Sequence, residues 1–262
     1  MSEESDLEPE DERFEVVESG QGARRRGVYL LPNLFTTGAL FAGFYAIVAA
    51  MNGLFEHAAL GIIVAAILDG MDGGVARLTN TQSEFGAQYD SLSDCVAFGV
   101  APGLVAYAWG LTTLGKAGWA AAFLYLACAA LRLARFNVQA GEADKRFFVG
   151  LPSPTAAGTV AVMVWLGATR GFTGNDLPWV VALVTAGLGL LMVSSVPFHS
   201  FKEFNIGRVP FRVLLGVIVL LAVVFVDPPV VLMAVALAYI AAGLGMAGLR
   251  WWRRGAPLPW RN

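Results

Sequence analysis

Four aspartates, Asp69, Asp72, Asp90 and Asp94, stand inside stretches of this 262-residue chain that are otherwise apolar. A carboxylate near membrane depth costs several kcal/mol unless it is paired or metal-bound, so an acid in that setting marks a function by default. The spacings of three and four put each pair on one helix face. Arg77 supplies one positive charge, which does not offset four negative ones. A divalent cation would, and an all-carboxylate donor set favours hard ions such as Mg²⁺ or Mn²⁺.

The neighbours of the first pair support a ligand site. In Asp69-Gly70-Met71-Asp72-Gly73-Gly74-Val75-Ala76-Arg77, small residues clear the surface around the carboxylates. A glycine inside a helix costs about 0.5–1 kcal/mol relative to alanine, so three of them in five positions need a reason. Close approach of a ligand is one. Tight helix packing through small residues is the other, but it does not explain aspartates beside the glycines.

The elements that must position these residues are membrane helices. Hydrophobic residues make up 56% of the chain and charged residues only 15%, where a soluble domain carries about a quarter charged. The 30 glycines fit helical membrane segments. Crossing a bilayer takes about 20 apolar residues. Candidates fall near 33–52, 56–77, 87–110, 118–137, 153–169, 178–197, 210–226 and 229–249. An all-α integral membrane protein with about eight transmembrane helices is expected, with a catalytic membrane domain over 27–250. Asp69 and Asp72 then close the second span, and Asp90 and Asp94 open the third.

Charge is distributed unevenly. Residues 1–20 hold nine acids and one base, Arg13. An apolar core is missing there, so 1–26 reads as a disordered, acidic leader, either dispensable or a functional tail, and not as a cleavable signal. With the N-terminus in the cytoplasm, nearly all remaining bases fall on that side, and only Lys116 and Arg170 on the other. An even number of spans returns the basic tail, 251–262, to the cytoplasm. Trp251 and Trp252 beside Arg253 and Arg254 read as an interfacial belt. Cys95 and Cys128 lie in apolar runs and offer neither a disulfide framework nor a metal spacing. His57 and His199, at span ends, read as interfacial. Nothing points to nucleic acid.

Asp69-x2-Asp72-Gly73-x2-Ala76-Arg77-x8-Gly86-x3-Asp90-x3-Asp94 resembles the complete signature of the CDP-alcohol phosphotransferase family, with eight fixed residues over 26 positions. The resemblance implies a six-helix core, a homodimer and an active site open to the cytoplasmic leaflet of the cell (inner) membrane. It implies that Asp69, Asp72 and Asp90 ligate metal, in all two ions, and that Asp94 is both a ligand and the base that deprotonates the acceptor hydroxyl. Gly73 and Arg77 would contact the CDP moiety, with Ala76 and Gly86 as further motif positions of the CDP-lipid site. Ser83 matches a nucleotide-contacting position, and Asn33, in Pro32-Asn33-Leu34, is the polar group of another such segment. The chemistry is coherent, since a two-metal site clamps attacking and leaving oxygens and a hydroxyl nucleophile needs a base. The diacyl tails stay in the bilayer while CMP leaves to the cytoplasm.

The motif does not name the alcohol. Three further segments, Leu31 to Thr36, Leu131 to Asn137 and Gly150 to Pro154, resemble the phosphatidylserine-forming branch of the family in bacteria and archaea. That implies CDP-diacylglycerol and L-serine as substrates. Arg132, Arg135 and Asn137 become candidate acceptor contacts, because a guanidinium fork suits a carboxylate or phosphate. Ordinary anchoring of arginines at the interface is the competing explanation. Other expectations stay open: the same family with glycerol 3-phosphate, inositol phosphate or choline as acceptor, and a metal-ion transporter lined by the four aspartates. Against the transporter, the far halves of both acid-bearing spans are apolar. Ala241, Gly245 and Gly248 form a small-residue stripe that suits a dimer face or packing within one chain.

Overall fold

The computed structural model describes residues 26–79, 84–139, 147–199 and 211–254. Almost all of them are helical, in rods that correspond one for one to the apolar segments. These are α1 (Arg26–Met51), α2 (Phe55–Thr79), a composite third rod, α5 (Lys116–Gln139), α6 (Ser153–Thr169), α7 (Pro178–Val193), α8 (Phe211–Val226) and α9 (Pro228–Arg254). The third rod consists of α3 (Glu84–Asp94), a π turn at Cys95–Val100, α4 (Ala101–Ala106), a second π turn at Tyr107–Leu111 and a 3₁₀ turn at Thr112–Leu114.

By length and composition, four stretches among the described residues are able to cross a membrane: Asn33–Met51, Phe85–Leu114, Lys116–Val138 and Pro228–Leu249. The rods α6 and α8, of 17 and 16 residues, are shorter than the roughly 20 that a straight crossing needs. The chain is thus an all-α membrane protein, whereas the expected number of eight crossings exceeds the four that qualify on these criteria.

Water does not drive helices together inside a bilayer, so close packing must come from small residues. The α1–α2 crossing shows this: a Cβ added at Gly61 would lie 3.0 Å from the Ala42 carbonyl oxygen and 3.0 Å from the Ala46 Cβ. On the other side of α1, a Cβ at Gly43 would lie 2.8 Å from the Ala97 Cα, in the first π turn. In both places backbone opposes backbone, and a flexible side chain could not yield.

Pro102 explains part of the third rod's irregularity. Proline has no N–H, so the carbonyl one turn earlier, Phe98, loses its usual donor. The fully buried Tyr125 of α5 supplies one, its hydroxyl donating to the Phe98 oxygen at 3.1 Å. α7 reaches the same tyrosine through Gly189, where a Cβ would lie 2.9 Å from the Tyr125 Cα.

Two connectors are more ordered than the sequence suggests. A short antiparallel pair forms between β1 (Phe147–Val149) and β2 (Pro197–His199), with Phe148 opposite Phe198. The sixth rod in sequence order, α7, expected to reach 197, ends at Val193 and gives way to this strand. Gly150 then turns the chain with φ +88°, and a Cβ there would lie 2.2 Å from the Met192 oxygen, so glycine is required. Its N–H donates to the Val196 oxygen, and the Leu151 N–H donates to the Leu191 oxygen, a carbonyl at the end of α7. These bonds fix the start of α6, with Pro154 in its first turn, where the missing donor costs nothing.

The far ends of the helices are tied by an ion pair between Arg170, after α6, and Asp227, at the tight link between α8 and α9. On α9, Ala241, Gly245 and Gly248 are exposed, and no protein atom lies within 4 Å of a Cβ added at either glycine. The stripe therefore does not pack against the described residues of its own chain.

Candidate active site

Asp69 sits late in α2, while Asp90 and Asp94 lie one turn apart in α3, and the three offer carboxylate oxygens that all lie within 4.8 Å of one another. All three are partly exposed. At this separation each pair of ionised carboxylates repels by roughly 3 kcal/mol at an effective dielectric of about 20. Three pairs approach the whole stability of a typical domain, about 5–15 kcal/mol. An oxygen-only donor set at such spacing fits a divalent cation and could hold one.

Neighbouring polar groups set the carboxylates in place. Ser93, buried between Asp90 and Asp94 in sequence, donates to the Thr36 carbonyl of α1 at 3.0 Å. Tyr89, next to Asp90, shares a hydrogen bond of 2.9 Å with Thr37, which also donates to the Asn33 carbonyl. Ser91, on the other side of Asp90, meets Asn137 of α5 at 3.0 Å. Three alternate residues of α3, within little more than one turn, are thus pinned to two neighbours. Immediately after Asp94 the π turn begins, and its extra residue re-phases the helix. The buried face of Ala97 and Phe98 can then enter the core without turning the aspartates away.

The glycine-rich face of α2 is open. Gly70 and Gly74 have no protein atom within 4 Å of an added Cβ. Packing against the described residues is therefore not what those two glycines serve, and among those residues space for a ligand remains beside Asp69.

Other expected site residues are distributed as follows. Asp72, Gly73, Ala76 and Arg77 lie in the last turns of α2, with side chains outside the described part of the structure, and Ser83 lies outside the described residues. Asn33 is partly buried two turns into α1, and Gly86 is partly exposed at the start of α3. Arg132 and Arg135 part company. Arg135 is exposed, while Arg132 turns inward and its Nη1 donates to the Ser153 hydroxyl at 2.8 Å. The Arg132 Nε is shut off from water and finds no hydrogen-bond partner among the described residues. Asp94 and Tyr239 of α9 both lie within electrostatic reach of this guanidinium.

Ser153 and Tyr239 are site residues that the sequence reading gave no role. Ser153, buried, lies in a segment noted only for its resemblance. Tyr239 had a usable signal: it is the only polar side chain between Pro228 and Leu249.

Fold and site together define a polytopic membrane protein in which carboxylates of two helices converge on an open, glycine-lined face. The chain belongs to the CDP-alcohol phosphatidyltransferase family, whose model matches residues 29–196, and it is a membrane transferase. It is similar to proteins named CDP-diacylglycerol–serine O-phosphatidyltransferase from several bacteria. The protein from Helicobacter pylori is 39% identical over 201 residues, covering 77% of this chain and 84% of the relative. That from Mycobacterium bovis is 35% identical over 231 residues, covering 84% and 80%. That from Bacillus subtilis is 35% identical over 173 residues, covering 66% and 92%.

Proposed function

We propose that the protein transfers the phosphatidyl group of CDP-diacylglycerol to the hydroxyl of L-serine, forming phosphatidylserine and CMP. The observation that carries this reading is the convergence of Asp69, Asp90 and Asp94 beside an open glycine face. The activity for which the relatives are named and the inward-facing Arg132 support serine over other alcohols.

In this reading Asp94 takes the proton of the serine hydroxyl. The oxygen attacks the phosphorus that carries diacylglycerol, a new P–O bond forms, and the pyrophosphate P–O bond breaks with its electron pair leaving on CMP. Asp69, Asp72, Asp90 and Asp94 would hold two divalent ions, Mg²⁺ or Mn²⁺. When bound, these neutralise the pyrophosphate and the charge developing on the leaving group. Arg77, with Gly73, Ala76, Asn33, Ser83 and Gly86, holds the CDP moiety. Arg132 holds the serine carboxylate, while exposed Arg135 serves the interface, and Asn137 keeps α5 on α3 through Ser91.

Purified protein given CDP-diacylglycerol and, in turn, L-serine, glycerol 3-phosphate, inositol phosphate or choline is expected to release CMP with L-serine. Release with another alcohol and none with serine would reassign the acceptor and keep the transferase class.

The site faces the cytoplasm of the cell in which the protein works, with both termini on that side. A cysteine placed at Lys116, exposed at the start of α5, should react with a membrane-impermeant thiol reagent in intact cells, and one at Gln82 should not. Reaction at Gln82 alone would invert the orientation.

A further inference from the structure

α1 meets α3 along the face of α3 on which Tyr89 and Ser93 stand four residues apart. The Ser93 hydroxyl donates to the Thr36 carbonyl from a buried position, so this contact is part of the packed interior. Tyr89 makes its contact at the exposed rim, where its hydroxyl lies 2.9 Å from the Thr37 hydroxyl. Thr37 has one hydroxyl hydrogen, and it is committed to the Asn33 carbonyl at 2.7 Å. A carbonyl cannot donate, so the hydrogen in the Tyr89–Thr37 bond comes from Tyr89. A directed chain results, from the Tyr89 hydroxyl through Thr37 to the backbone of Asn33, in which each bond polarises the next.

This chain joins two parts of the site. Asn33 and Thr37 are four apart on α1, so the face that carries Asn33 is the one turned toward α3. Asp90, one of the three converging carboxylates, directly follows Tyr89. The phenol is braced from its own helix, because Phe85, one turn earlier, stacks on it with ring centroids 6.1 Å apart and planes at 11°. One contact between crossing helices acts as a pivot, whereas two contacts a turn apart set an angle. Without the Tyr89 bond, α3 could swing about the Ser93–Thr36 contact and shift Asp90 relative to Asn33. The Ser91–Asn137 bond ties α3 to α5 and leaves its angle to α1 unset. At the rim, water competes for both hydroxyls, so the Tyr89 bond adds little to stability. Its effect is on geometry.

We infer that Tyr89 is a positioning residue for the nucleoside diphosphate end of the lipid substrate, bracing the Asn33 segment of α1 against the acid-bearing helix through Thr37. The inference rests on the reading of CDP-diacylglycerol as substrate and of Asn33 as a contact to it. It adds Tyr89 and Thr37, neither of which is a fixed position of the aspartate signature. With the nucleotide on α1 and the diphosphate at the acids, the spacing of α1 and α3 must match the spacing of those two groups. Tyr89 sets that spacing, and the acceptor alcohol does not depend on it.

Tyr89→Phe keeps the ring on Phe85 and removes only the hydroxyl. Its KM for CDP-diacylglycerol should rise about fivefold, the effect of losing one neutral hydrogen bond. The KM for L-serine, turnover at saturating lipid and the melting temperature should stay near wild type, the signature of weakened binding to one substrate. Thr37→Val should match Tyr89→Phe, and Thr37→Ser, which keeps the hydroxyl, should behave as wild type. The double variant of Tyr89→Phe and Thr37→Val should be no worse than either single one, because both delete the same bond. An unchanged CDP-diacylglycerol KM in Tyr89→Phe would overturn the inference, as would effects that multiply in the double variant. A loss spread equally over both substrates with a lowered melting temperature would also overturn it and leave Tyr89 a packing residue. The serine reading fails separately, by a lack of serine-dependent CMP release in the wild-type protein. The lipid KM is then read with the alcohol that does support release.

Discussion

Asp94→Asn is expected to lower turnover by about 10²–10⁴-fold, the usual contribution of a general base. Asparagine has nearly the same shape, so the Ser93 bond to Thr36 and the π turn that follows should persist, and the protein should remain folded. What changes is the ability to accept a proton from a hydroxyl that is barely acidic in water. Asp94 also belongs to the carboxylate cluster, so part of the loss could be metal affinity. Titrating the divalent ion separates the two. Excess metal restores activity lost through a missing ligand and leaves untouched the loss of a base. The check is CMP release across a metal series, with CDP-diacylglycerol binding measured in parallel. A variant that returns to within threefold of wild type at high metal would remove Asp94 from the base role and keep it as a ligand.

The acids were legible in the sequence because the membrane makes them expensive, and nothing but function repays a carboxylate at that depth. The helical rods were legible for the same reason, since every backbone polar group in a bilayer must be satisfied within the segment. Other features follow from contacts that local sequence does not encode. Pro102 marked a defect in the third rod, but the π turns and the Tyr125 hydroxyl that serves the Phe98 carbonyl depend on how α5 lies against it. Spacing put Arg132 and Arg135 within about 60° of each other on a helix of 3.6 residues per turn. That angle was enough to bury one against Ser153 and leave the other exposed. The pairing of β1 with β2 joins two connectors about fifty residues apart in sequence, each with no strand pattern of its own.

Removing divalent metal should abolish activity and lower thermal stability together, whereas Asp69→Asn should abolish activity and raise the stability of the metal-free protein. The opposite signs follow from the cluster itself. With no cation, three ionised carboxylates within 4.8 Å of one another repel, each pair by roughly 3 kcal/mol at an effective dielectric of about 20. The Arg132 guanidinium, within reach of Asp94, offsets part of this but does not neutralise three charges. Asp69→Asn removes two of the three repelling pairs, so the metal-free variant should melt several degrees above the metal-free wild type, at about 2–4 °C per kcal/mol for a chain of this size. The same change removes an oxygen ligand of negative charge, so added Mg²⁺ or Mn²⁺ should stabilise the variant far less than the wild type. The measurement is a pair of melting curves in detergent, with chelator and with metal, set beside CMP release under the same conditions. Full activity in excess chelator would sink the metal-dependent reading. An Asp69→Asn protein less stable than wild type without metal would show that Asp69 is held by its unmutated neighbours through attraction, and that the cluster is a polar network built for structure.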